Sequence, residues 1–184
     1  MRRLSLCACV ITLAAIPAWA VPAWAGRGAD PEVGTLSIAR GKGLVVLEVR
    51  GNVLGRLTSG TITVTDKTPN DAYAATLTGK RVVVQRRLSP TKVFIRGQGL
   101  RFRLLGGSYR IAINGHGITL SAVGRGTVSI DGEPRFVGDD LGMYSVESDV
   151  DCGLEPESCT AVPDEPVRVK LGKAAEPEQG QPAR

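Results

Sequence analysis

The sequence predicts an all-β protein, a mostly antiparallel meander folded into a sandwich or barrel of about nine or ten strands. Three observations predict it: apolar residues alternate with polar ones through the middle of the chain, no stretch carries a helical period, and glycines recur at a fixed step between the alternating runs. Leu44 to Val49, Ile62 and Val64, Val82 to Val84, Val93 and Ile95, Leu100 to Leu104, Ile111 and Ile113, and Ile118 and Leu120 read as short strands.

The first residues set an address. Arg2 and Arg3 precede the apolar run LSLCACVITLAAI, which breaks at Pro17 and ends in two small-x-small sites, Ala18-Trp19-Ala20 and Ala23-Trp24-Ala25. This is the pattern of a secretory signal peptide over residues 1–25, with cleavage after Ala25 preferred to cleavage after Ala20 because polar sequence begins at Gly26. The expectation is an exported protein, secreted or held in the cell envelope, with no transmembrane segment once the leader is removed.

The glycine step shapes the expected topology. Gly97, Gly106, Gly115 and Gly124 lie nine residues apart, which a seven-residue strand and a two-residue turn would produce. Glycine at the first central position of a two-residue loop is the mark of a type II′ hairpin turn, because that position needs positive φ. Turns at Gly97-Gln98, Gly106-Gly107 and Gly115-His116, with a longer loop at Gly124-Arg125-Gly126, pair Ile95 with Leu100, Val93 with Phe102, Leu104 with Tyr109, Phe102 with Ile111, Ile113 with Ile118, Leu120 with Ile130 and Ala122 with Val128. All of these fall on one face, which is predicted to be buried. A β-solenoid is the alternative architecture, since its coils also repeat and alternate. A calcium-filled roll is excluded because Arg or Thr stands where each repeat would need Asp.

Charge divides the chain. Residues 26–132 carry 16 Lys/Arg and 6 Asp/Glu, whereas residues 133–184 carry 5 and 12. A basic β domain over 26–132 is thus followed by an acidic segment over 133–173 and a tail over 174–184 with nothing to bury, expected to be disordered. Within the acidic segment, GMYSVES (142–148) and DEPVRVKLGK (164–173) alternate like closing strands. Cys152 and Cys159, in CGLEPESC, are predicted to form a disulfide in an oxidising compartment. Two thiols without further ligands do not make a zinc site, and Cys152 stands where a calcium loop of the EF-hand type needs glycine. No metal or cofactor is implied.

Between the predicted buried positions lie Lys92, Phe94, Arg96, Arg101, Arg103 and Arg110. In the hairpin register Lys92 faces Arg103, and Arg103 faces Arg110. Like charges placed directly opposite cost stability, so the row points to a role. Lys92, Arg96, Arg101, Arg103 and Arg110 are therefore the candidate ligand-binding residues, with an anionic envelope polymer or lipid head groups as the expected partner. Nucleic acid is not expected, because only Phe94 offers a stacking ring among these cations and the chain is exported.

Signatures of catalysis are missing: the sequence has no GxSxG elbow, P-loop or HExxH motif. His116 is the single histidine, and the glycine step puts it at a hairpin tip. The leading expectation is a non-catalytic binding or structural protein. Its alternatives are a cell-wall or polysaccharide-acting enzyme using His116, and a self-assembling subunit that recruits strands along an exposed β edge.

Overall fold

A computed structural model describes residues 33–69, 75–134 and 140–172. The leader with both cleavage sites, and the tail predicted to be disordered, lie outside the described residues. Those described form one antiparallel sheet of seven strands. Its members are β1 (Gly34–Asp66), β2 (Thr76–Ser89), β3 (Lys92–Leu104), β4 (Ser108–Gly132), β5 (Met143–Ser145), β6 (Thr160–Ala161) and β7 (Val167–Leu171). The main order is β2-β3-β1-β4-β7, with β5 on β1 and β6 on β5. Every ladder is antiparallel, which disposes of the parallel solenoid. Among the described residues no helix is long and apolar enough to cross a membrane.

Strands are fewer than the nine or ten expected because two of them are very long. β1 has 33 residues and β4 has 25. Fully extended at about 3.3 Å per residue, β1 would reach about 110 Å, far beyond the roughly 40 Å diameter of a domain of this size. It must coil, and it does so around β4. One register sets residues 34–50 of β1 against one edge of β4, and a second sets residues 43–66 against the other. Val45 thus lies between Ile113 and Ile130, and Ile113 between Val45 and Ile62. Ile62 continues the row to Ile95 on β3, and all five side chains are buried. A single hydrophobic cluster lines the inner face of the coiled sheet.

Glycines permit the coil. Gly51 pairs with Gly124 and Gly60 with Gly115, so the nine-residue step of β4 is matched by the same step in β1. A β-carbon on Gly51 would run into the Val123 carbonyl, and one on Gly60 into the Asn114 carbonyl. The backbones approach too closely there for any other residue, as at the corners of strongly bent sheets.

The expected hairpins at Gly97-Gln98, Gly115-His116 and Gly124-Arg125-Gly126 are therefore corrected: all three lie inside β3 or β4. Gly106-Gly107 does link two strands, but β3 and β4 do not pair with each other. Each flanks β1, and the link crosses it, with Gly106 N–H donating to Asn52 Oδ1 at 2.8 Å. The tight hairpin of the body is instead β2-β3, turning at Pro90-Thr91 with Ser89 opposite Lys92.

The predicted buried face is nonetheless the observed one. Ile95, Leu100, Phe102, Leu104, Tyr109, Ile111, Ile113, Ile118, Leu120, Ala122, Val128 and Ile130 are all buried, and Val93 is half-buried. Their partners differ: Ile95 faces Ile62, Leu100 faces Leu57, and Tyr109 faces Val49.

The acidic segment packs on this body. Leu141 and Val162 join the core, β5 pairs with residues 37–39 of β1, and β7 pairs with residues 126–130 of β4. Cys152 and Cys159 form a disulfide, and buried Cys152 donates its N–H to Ser37 Oγ at 3.0 Å.

Candidate functional site

Side chains in an ideal strand alternate faces, so a change in which positions are buried marks a slip in the backbone. Three strands slip along one line across the sheet. In β3 burial passes from Ile95 to Leu100, Phe102 and Leu104, and the slip falls at Gly99 (φ 58°). In β4 it passes from Ile111 and Ile113 to Ile118 and Leu120, with the slip at Gly117 (φ 64°). In β1 it passes from Leu36 and Ile38 to Val45 and Leu47, and the ladder shifts between Ile38 and Gly41. Arg40 occupies that shift with φ 56°, the one non-glycine residue at positive φ among those described. Such a conformation costs an L-residue about 1–2 kcal/mol.

These three irregular positions meet in one groove of about 500 Å³. Arg40, Gly99 and Gly117 line it together with Arg56, Leu57, Thr58, Lys80, Leu100, Arg101 and Thr119. The glycines leave the floor low. A β-carbon on Gly99 would press on the Lys80 side chain, and one on Gly117 on Thr58. Four cations therefore rim a floor of small residues, and none of the described lining residues is acidic. Arg56 lies directly opposite Arg101 in the β1-β3 ladder, a like-charge pair of the kind that destabilises a sheet unless an anion intervenes. Arg40, Arg56, Lys80 and Arg101 form no ion pair among the described residues.

A second groove, of about 450 Å³, continues from the first and shares Arg56, Arg101 and Thr119. Asp151, from the disulfide-bearing segment, stands on its wall. The described residues of the acidic segment thus border the basic groove without lining the four-cation part of it.

The sequence-predicted binding residues are distributed rather than gathered. Arg101 is in the groove. Arg103 is exposed between Thr76 and Leu54, and Lys92 is half-buried between Ser89 and Thr65. Arg110 pairs with Glu48 at 3.5 Å, and Lys67 approaches the same carboxylate at 3.4 Å. Arg96 lines two depressions elsewhere, one that reaches Ser59 and Gly60 of β1 and one confined to β2-β3. The expected opposition of Lys92 to Arg103 is not made because both belong to the one continuous strand β3, and that of Arg103 to Arg110 is not made because β3 and β4 lie on either side of β1. Arg40, Arg56 and Lys80 escaped the sequence reading. The Arg-Gly at 40–41, which interrupts an otherwise alternating run, was the local signal for the first of them.

His116 lies mid-strand, not at a tip, between Lys42 and Ser59. It is exposed, and its Nε2 shares a 2.6 Å hydrogen bond with Ser59 Oγ. Glu133 lines the same depression as His116, but no carboxylate bonds the ring among the described residues. Among those residues, too, no three His, Cys, Asp or Glu side chains converge as a metal site would require. The chain matches no family model, no curated protein and no solved structure.

Proposed function

We propose that the protein is a non-catalytic binding protein of the extracytoplasmic space, and that its four-cation groove takes a phosphate- or carboxylate-bearing group of an anionic envelope polymer or lipid head group. The observation that carries this reading is the convergence of Arg40, Arg56, Lys80 and Arg101 on one groove with no acid among its described lining residues. Guanidinium groups suit such a ligand, because their planar donors meet phosphate and carboxylate oxygens two at a time. The extracytoplasmic setting is supported by the leader pattern and by the cysteine pair.

The bond between Ser59 and His116 has the length of a nucleophile-base contact, yet a serine dyad of that kind relies on a third group to orient the imidazole. An exposed cross-strand serine and histidine on a sheet face is better read as a surface pair.

The test is titration with inorganic polyphosphate, and retention on isolated cell envelopes, of the wild type and two charge reversals. Arg56→Glu with Arg101→Glu should weaken polyphosphate binding at least tenfold and release the protein from envelopes, while Arg103→Glu with Arg110→Glu should leave most of the affinity intact. Equal loss in the two double variants would replace the groove by a diffuse electrostatic surface. No loss in the first would end the proposal.

A further inference from the structure

The edge strand β2 carries a second surface that the groove does not use. β2 pairs with β3 alone, so its other edge is open along 14 residues among those described. Open edges of this length normally acquire a partner or a means of refusing one. Here bulges that discourage indiscriminate pairing stand beside an apolar depression with room for a partner's side chain. The ladder to β3 is bulged between Val82 and Val84 and again between Arg87 and Ser89. The residues displaced at the two bulges, Val83 and Leu88, are 67% and 53% exposed. Leu88 joins Val84 and Phe94 in an apolar depression of about 360 Å³ framed by Arg86 and Arg96.

Charge selects the occupant. From Thr76 to Leu104 the β2-β3 hairpin has eight Lys/Arg and no Asp/Glu, and Lys80, Arg81, Arg86 and Arg87 crowd its outer strand. Laying β2 of a second copy against this edge would bring cations to cations, which opposes self-pairing. We propose that this edge binds an extended acidic polypeptide segment by strand addition. In such complexes main-chain hydrogen bonds give affinity and side-chain depressions give selectivity. The depression sets an apolar side chain between two arginines on one face, so the incoming strand needs apolar and acidic residues two positions apart.

The full chain is titrated with a fluorescent peptide of repeated Glu-Glu-Val-Val, whose successive same-face residues alternate in that way. Controls are the same peptide N-methylated at every second residue, a Lys-Lys-Val-Val peptide, and phosphatidylglycerol vesicles. Saturable binding of the acidic peptide, weakened at least tenfold by N-methylation and by Arg86→Glu with Arg87→Glu, with slowed hydrogen exchange in β2, is the expected result. Equal binding of the N-methylated peptide, preference for the vesicles or the lysine peptide, or dimerisation of the protein through β2 would overturn the proposal. Polyphosphate binding is read on the same variant. Neither reversed residue lines the groove, so failure of one surface leaves the other standing.

Discussion

At the residue scale, the most informative position is Arg40. Its backbone sits where glycine is preferred, and its side chain rims the groove. A strained residue kept at a binding surface commonly exchanges stability for function. Arg40→Gly should therefore raise stability by up to about 1 kcal/mol, measured by urea unfolding, while lowering affinity for polyphosphate. A variant that loses stability, or gains it with unchanged affinity, would make Arg40 an ordinary structural residue. Gly117 is the opposite case, since its φ of 64° suits glycine and a β-carbon would meet Thr58.

At the element scale, strand identity and burial were legible in the sequence and connectivity was not. Alternation fixed which side chains go inward, down to Ile95 and Leu100 sharing a face. A hairpin turn and a one-residue slip through a left-handed glycine change burial parity in the same way, however, and Ile113 to Ile118 fits either. Only the pairing of Gly60 with Gly115 separates them, and that contact spans 55 residues of sequence. For the same reason the groove was invisible: Arg40 and Arg56 on β1 meet Lys80 and Arg101 of the β2-β3 hairpin only through the long-range pairing of β1 with β3, which no local pattern encodes. The Cys152–Cys159 link shows the other limit, since its short span made it readable at once. Closing so small a loop is worth about 2 kcal/mol, much of it through the unfolded chain. Replacing both cysteines with serine should cost about that much in urea unfolding. Hydrogen exchange should accelerate around residues 143–161 while the amides of β3 stay protected; a general loss of protection would mean that the acidic segment holds the whole sheet together.

At the scale of the whole molecule, one core cluster runs through the sheet and its contacts are overwhelmingly non-local. Proteins of that kind unfold as a unit and fold slowly, because distant segments must meet before burial rewards them. Refolding followed by far-UV circular dichroism should be a single exponential slower than about 10 per second. A sub-millisecond main phase would mean that β2-β3 or another local piece folds independently. The long strands also decide how the proposed anionic ligand would be met. Where most proteins hang recognition on loops, here the groove cations are carried by β1, β2 and β3. Backbone positions within a paired sheet change little on binding, so the entropy surrendered is mainly that of arginine and lysine rotamers. The surface is preorganised, and a ligand that fits has little backbone to wait for.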